Sequence, residues 1–117
     1  MTYVDGFVAA VPKANKEKYI THARAAAELF KRWGATRVVE NWGDDVPKGE
    51  INDFYSSVHA KDDEVVVFSW VEYPDKATRD AVQHKMMNDP AMTGVPDMPF
   101  DGKRMIFAGF ANLLDVK

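Results

Sequence analysis

Five charged residues stand on segments that are otherwise apolar: Asp5, Glu40, Glu72, Lys85 and Arg104. A charge taken out of water is costly unless it is paired and hydrogen-bonded. Two chemistries follow. In the first, the five form internal or interface ion pairs, for instance Glu72 or Asp5 with Arg104 or Lys85; this is the commoner fate of such residues. In the second, they line a pocket in which a carboxylate of altered pKa works as an acid or base. The catalytic set expected on that reading is Glu72, His22, Lys85 and Arg104. Glu72 or His22 would accept a proton, and Lys85 or Arg104 would stabilise an enolate or a carboxylate.

Aromatic and acidic residues supply an expected ligand-binding set of Trp42, Asp44, Asp45, Trp70 and Tyr3. Trp42 would stand as a wall beside the acidic rim of Asp44-Asp45. Paired carboxylates can share a proton or hold a cation, although neighbours in a loop usually point apart. Trp70 and Tyr3 suit an organic-ligand cleft, and they equally suit a small core or a dimer interface. Methionines gather late in the chain, at Met86, Met87, Met92, Met98 and Met105, where they fill irregular gaps.

Other chemistries find no support. Cysteine is absent, which removes disulfides, thiolate metal sites and thiol nucleophiles. Ser56, Ser57 and Ser69 are the only serines, and none stands in a Gly-x-Ser-x-Gly elbow. No glycine-rich phosphate loop occurs. His22, His59 and His84 are scattered without metal-ligand spacing, so neither a metal nor a cofactor is expected. The net charge of −3 argues against a nucleic-acid partner. No run approaches the roughly 18 apolar residues of a membrane span. With no basic N-terminal region and no cysteine, a cytoplasmic location is expected.

Period-two and helical patterning must position these residues. Tyr3–Val11, Ala35–Trp42, Val65–Tyr73 and Met105–Ala111 read as strands, and Asn15–Trp33 and Asp75–Asn88 as helices. In the first strand Tyr3, Asp5, Phe7, Ala9 and Val11 share a face, and Gly6 on the other suggests a bulge or close approach. Val65–Tyr73 is apolar on both sides, as a central covered strand should be. Asn15 and Asp75 are expected helix N-caps, and Gly34 an expected helix stop. The first helix is expected to bury Tyr19, Ala23, Ala26, Phe30 and Trp33, a stripe widened by Ile20 and Ala27, with His22 at its border. The second carries Ala77, Thr78, Ala81, Val82, Lys85 and Met86 inward. Residues 51–60 fit either a strand or a short helix capped by Asp53.

The order strand–helix–strand, twice, predicts one α+β domain over residues 1–117, a ferredoxin-like β-α-β-β-α-β sandwich. Two helices cover one sheet face only. A second apolar face therefore needs a partner, and a homodimer is expected. A small-molecule ligand in a cleft between sheet and helices would make the chain a binding protein or a cofactor-free enzyme. The alternative is a non-catalytic dimer that binds a metabolite or a protein.

Five segments carry a family likeness. They are Tyr3-Val4-Asp5-Gly6-Phe7-Val8, Trp42-Gly43-Asp44-Asp45-Val46-Pro47, Val67-Phe68-Ser69-Trp70-Val71-Glu72-Tyr73-Pro74, Lys85-Met86-Met87-Asn88-Asp89-Pro90 and Met98-Pro99-Phe100-Asp101-Gly102-Lys103-Arg104-Met105. In this order they resemble the YbaA-like family of small bacterial proteins, a family of unknown function. The resemblance runs nearly end to end and implies a ferredoxin-like fold paired into a dimeric α/β barrel. It implies no activity, cofactor or catalytic residue; an oxygenase or isomerase follows from fold analogy alone.

Overall fold

Strand β1 (Tyr3–Pro12) and strand β3 (Glu64–Tyr73) lie antiparallel at the centre of one sheet in the computed structural model, which describes residues 2–117. Strand β2 (Arg37–Trp42) pairs with β3 and strand β4 (Ile106–Ala111) with β1, giving the order β2-β3-β1-β4. Helix α1 (Lys16–Trp33) and helix α3 (Lys76–Asn88) pack on one face, and a one-turn helix α2 (Phe54–Ser57) lies in the β2–β3 connection. The chain is thus an α+β protein of ferredoxin-like topology.

Alternation decides which side chains meet the helices. In the β1–β3 register Ala9 faces Val67, Phe7 faces Ser69 and Asp5 faces Val71, all on the helix side. Tyr19 of α1 seats on Ala9, Val11 and Val67, and Val82 of α3 on Val71 and Tyr73. α1 also buries Leu29, whereas Ile20 is exposed, so its inner stripe is turned slightly from the expected one. Pairing through Gly6 is unbroken on both sides, so β1 carries no bulge there; the ring of Phe110 lies over the glycine instead.

Local signals act where physics requires them. Asp75 caps α3 by accepting from Thr78 N at 2.7 Å. Asp53 and Ser56 form a reciprocal capping box around α2, which decides the ambiguous 51–60 segment in favour of a short helix. Asn15 does not cap α1. A 3-10 turn, Lys13–Asn15, leads into the helix and holds Asn15 out of the extended conformation a cap requires, so its amide donates to Pro99 O at 2.9 Å. Gly34 ends α1 at φ 134°, where a Cβ would lie 2.7 Å from Thr78 Cγ2. At Gly109 a Cβ would meet the Tyr3 hydroxyl at 2.6 Å, so the missing side chain is what lets Tyr3 lie across β4.

The sheet's second face is covered at one end only. Val58, Tyr55 and Ala60 pack there on Val8, Ala10 and Val66. Elsewhere it presents Phe68 (49% exposed) and Phe110 (57%), with Ile106 and Phe54 also open to solvent. The C-terminal Leu113, Leu114 and Val116 are exposed as well.

Candidate functional site

Between α1, α3 and the helix side of the sheet lies a cavity of about 400 Å3, bordered by the connector that follows α3. Small residues of α1, Ala23, Ala26 and Ala27, leave the space open, and Phe7, Phe30, Phe100, Met86 and Met92 supply much of its apolar wall. This is the size and character of a small-molecule pocket.

Two carboxylates reach it from the sheet. Glu40 on β2 accepts at Oε1 from the Tyr19 hydroxyl (2.6 Å) and from the Ser69 hydroxyl (2.5 Å). Among the described residues no side-chain donor occupies its Oε2. Asp5 on β1 is buried and saturated: Arg79 Nε donates to Oδ1 at 2.9 Å, while Tyr73 Oη (2.9 Å) and Gln83 Nε2 (3.0 Å) donate to Oδ2. Burial, and then the neighbouring Glu40 charge, push the Tyr19 phenol far above its usual range. Burial and Asp5 do the same to Tyr73. Both phenols therefore stay protonated and act as donors that orient the carboxylates.

His22 is a further titratable group at the cavity. Its Nδ1 lies 2.7 Å from Pro96 O, and Phe100 meets the ring edge-on at 6.5 Å. A carbonyl only accepts, so this partner sets the proton on Nδ1 and leaves Nε2 as the free ring nitrogen. α1 places His22 one turn beyond Tyr19, on the same side of the helix.

The remaining site residues expected from the sequence lie elsewhere. Glu72 and Trp70 are on the opposite sheet face, where Trp70 Nε1 donates to Glu72 Oε2 at 2.9 Å and Arg37 stands 3.6 Å away. Lys85 is exposed on α3. Arg104 precedes β4 and forks onto Glu64 with two 2.7 Å bonds, reaching Asp101 and His59 O as well. Its role in the fold is a clamp that ties the end of the connector to β3. Trp42 stands behind Tyr19, with Lys16 Nζ 5.4 Å above its ring. Tyr3 lies under the Arg79 guanidinium at 5.3 Å. Asp44 and Asp45 are exposed in the loop after β2. Of the nine, only His22 lines the cavity. The expected ion pairs also re-sort: Asp5 takes Arg79, Glu72 takes Arg37, and Arg104 takes Glu64 and Asp101.

The residues that do meet there, Glu40, Tyr19, Asp5, Tyr73 and Gln83, with Ser69 bonded to Glu40 from behind, include two of the charges marked by their apolar strands. The shared face of Val38, Glu40 and Trp42, combined with the inward stripe of α1, was the signal available for joining Glu40 to Tyr19. Among the described residues no group of three or more His, Asp or Glu side chains could hold a metal ion, and no helix is long and apolar enough to cross a membrane.

The fold and its cavity define a ferredoxin-like α+β protein with a helix-side pocket. The same fold occurs in the crystal structure of a dimeric ferredoxin-like protein from an uncultured marine organism, with a TM-score of 0.54, 14% identity, and 99% of this chain and 97% of that one covered. Residues 2–102 match the model of a protein family of unknown function, DUF1428, and the chain belongs to that family. It is 54% identical over 116 residues to the uncharacterized protein YbaA of Escherichia coli strain K12, covering 98% of this chain and 99% of the relative. YbaA of Shigella flexneri matches to the same extent.

Proposed function

We propose that the chain works as a homodimer that binds a small organic molecule in the cavity between the sheet and its helices. The observation that carries this reading is the cavity itself: about 400 Å3, mostly apolar, with Glu40, Asp97 and His22 among its hydrogen-bonding groups. The dimer is supported by the exposed Phe68 and Phe110 on the second sheet face. The dimeric state of the marine structural relative favours the same arrangement. His22 is kept from the expected site, and Glu40 takes the carboxylate role first assigned to Glu72.

A second reading is proton transfer without a cofactor. It is favoured by His22 Nε2 and Glu40 Oε2, two atoms without a side-chain partner on one cavity. Binding comes first in either case, so one experiment tests both. Fluorescence titration with the neutral apolar probe N-phenyl-1-naphthylamine should give saturable enhancement. Ala27→Phe, which fills the cavity, should weaken it by about tenfold or more. Phe68→Asp, on the other face, should leave it unchanged. Loss with Phe68→Asp and indifference to Ala27→Phe would move the site to the open sheet face and favour a protein-binding role.

A further inference from the structure

We infer that the ligand of the cavity is an organic cation: an amine carried on an aromatic or branched apolar body. This rests on the binding reading above and adds the chemical class. Three acidic residues line the cavity, Asp5, Glu40 and Asp97, and no lysine or arginine does. Asp5 is compensated from behind by Arg79 at 2.9 Å. Glu40 and Asp97 are open to solvent at the mouth of the cavity and have no cationic side chain within 4.0 Å among the described residues, so the charge left at the mouth is negative.

Hydrogen-bond polarity points the same way. The Tyr19, Tyr73 and Ser69 hydroxyls already donate to carboxylates, and Pro96 O is taken by His22. What remains for a ligand is chiefly carboxylate acceptors: Glu40 Oε2, oriented because two hydroxyls hold Oε1, and the Asp97 carboxylate at the rim, with His22 Nε2 nearby. An ammonium group supplies donors and the missing charge together. A carboxylate would meet like charge and find no fixed cation, since Lys85 and Arg104 lie away from the cavity. The phenyl rings of Phe7, Phe30, Phe100 and Phe107 offer faces that attract a cation as well as bury its body.

The test is a matched series of equal shape and different charge: 1-naphthylmethylamine, 1-naphthylmethanol and 1-naphthoate, titrated calorimetrically into the full chain near neutral pH. The amine should bind about tenfold or more tightly than the alcohol, a difference of about 1.4 kcal/mol, with the carboxylate weakest. Glu40→Gln should weaken the amine far more than the alcohol and bring the two to within about threefold of each other. Should that variant misfold, raising the ionic strength on the unaltered protein gives the same answer, because only the amine should weaken. Equal affinities, or a preference for the carboxylate, would overturn the cation while leaving the binding cavity intact. Failure of all three to bind would overturn both.

Discussion

Replacing Asp5 by alanine should remove about 3 kcal/mol of stability. Asp5 is 2% exposed and accepts from Tyr73, Arg79 and Gln83, so one substitution strips partners from three donors on β3 and α3. Removing one partner of a buried pair typically costs about 3–5 kcal/mol, because the other charge stays buried. Arg79 moderates this: its side chain is 16% exposed and keeps Asp80 at 3.1 Å, which favours the lower end. Asp5→Asn keeps the shape and one acceptor, and should cost roughly half as much. Urea unfolding followed by far-ultraviolet circular dichroism reads the difference directly. With a slope of about 1–3 kcal/mol per molar, the Asp5→Ala midpoint should fall by roughly 1–3 M. In the double variant with Arg79→Met the losses should be strongly non-additive, since the stranded charge is then gone. A loss below about 1 kcal/mol for Asp5→Ala, or simple additivity, would refute the view that this network latches α3 to the sheet.

Three further expectations follow from other parts of the molecule. Gly34→Ala should destabilise by about 1–3 kcal/mol, and Thr78→Ser should recover the steric share by removing the methyl that the new Cβ meets; thermal melts of the single and double variants check this. The hydrogen bonds from Arg104 outweigh burial and hold the Glu64 carboxyl below its usual range. Its contribution is therefore complete above the unfolded value of about 4.3 and is lost as pH falls through the lower folded value. Arg104→Met should then move the acid-unfolding midpoint to higher pH, and superimposable acid limbs by circular dichroism would sink the assignment. Phe68→Asp should weaken the proposed homodimer by about 100-fold with little change in thermal stability of the protomer, read by sedimentation velocity across a dilution series.

Where a residue's place depends on its own strand or helix, the sequence was legible. Alternation along β1 and β3 put Asp5 with Ala9 and Val11, and the register confirms it. Asp75 and Gly34 mark helix ends by chemistry that operates within one turn. Where the outcome depends on a partner far along the chain, local pattern was silent. Asn15 has the side chain of a cap, yet its amide is engaged 84 residues away at Pro99. Val82 and Met86 turn inward on α3 as expected, whereas Ala77, Ala81 and Lys85 are exposed. Arg79 and Gln83 turn inward as well, because two polar side chains are needed to satisfy Asp5. That polar demand arises on another strand, so hydrophobic periodicity within the helix does not carry it. The same limit separated Glu40 from Tyr19: alternation groups Glu40 with Val38 and Trp42 without saying which face meets the helices, and only the packing of α1 on β2 brings the pair to 2.6 Å.

The most direct test of the central claim, a ligand site on the helix side of the sheet, is amide chemical-shift mapping of the isotope-labelled chain titrated with 1-naphthylmethylamine. Saturable shifts concentrated at Ala26, Ala27, Val71 and Val82, with Phe68 and Phe110 unmoved, are the predicted result. Shifts confined to Phe68, Trp70 and Phe110, or none at saturating probe, would contradict it.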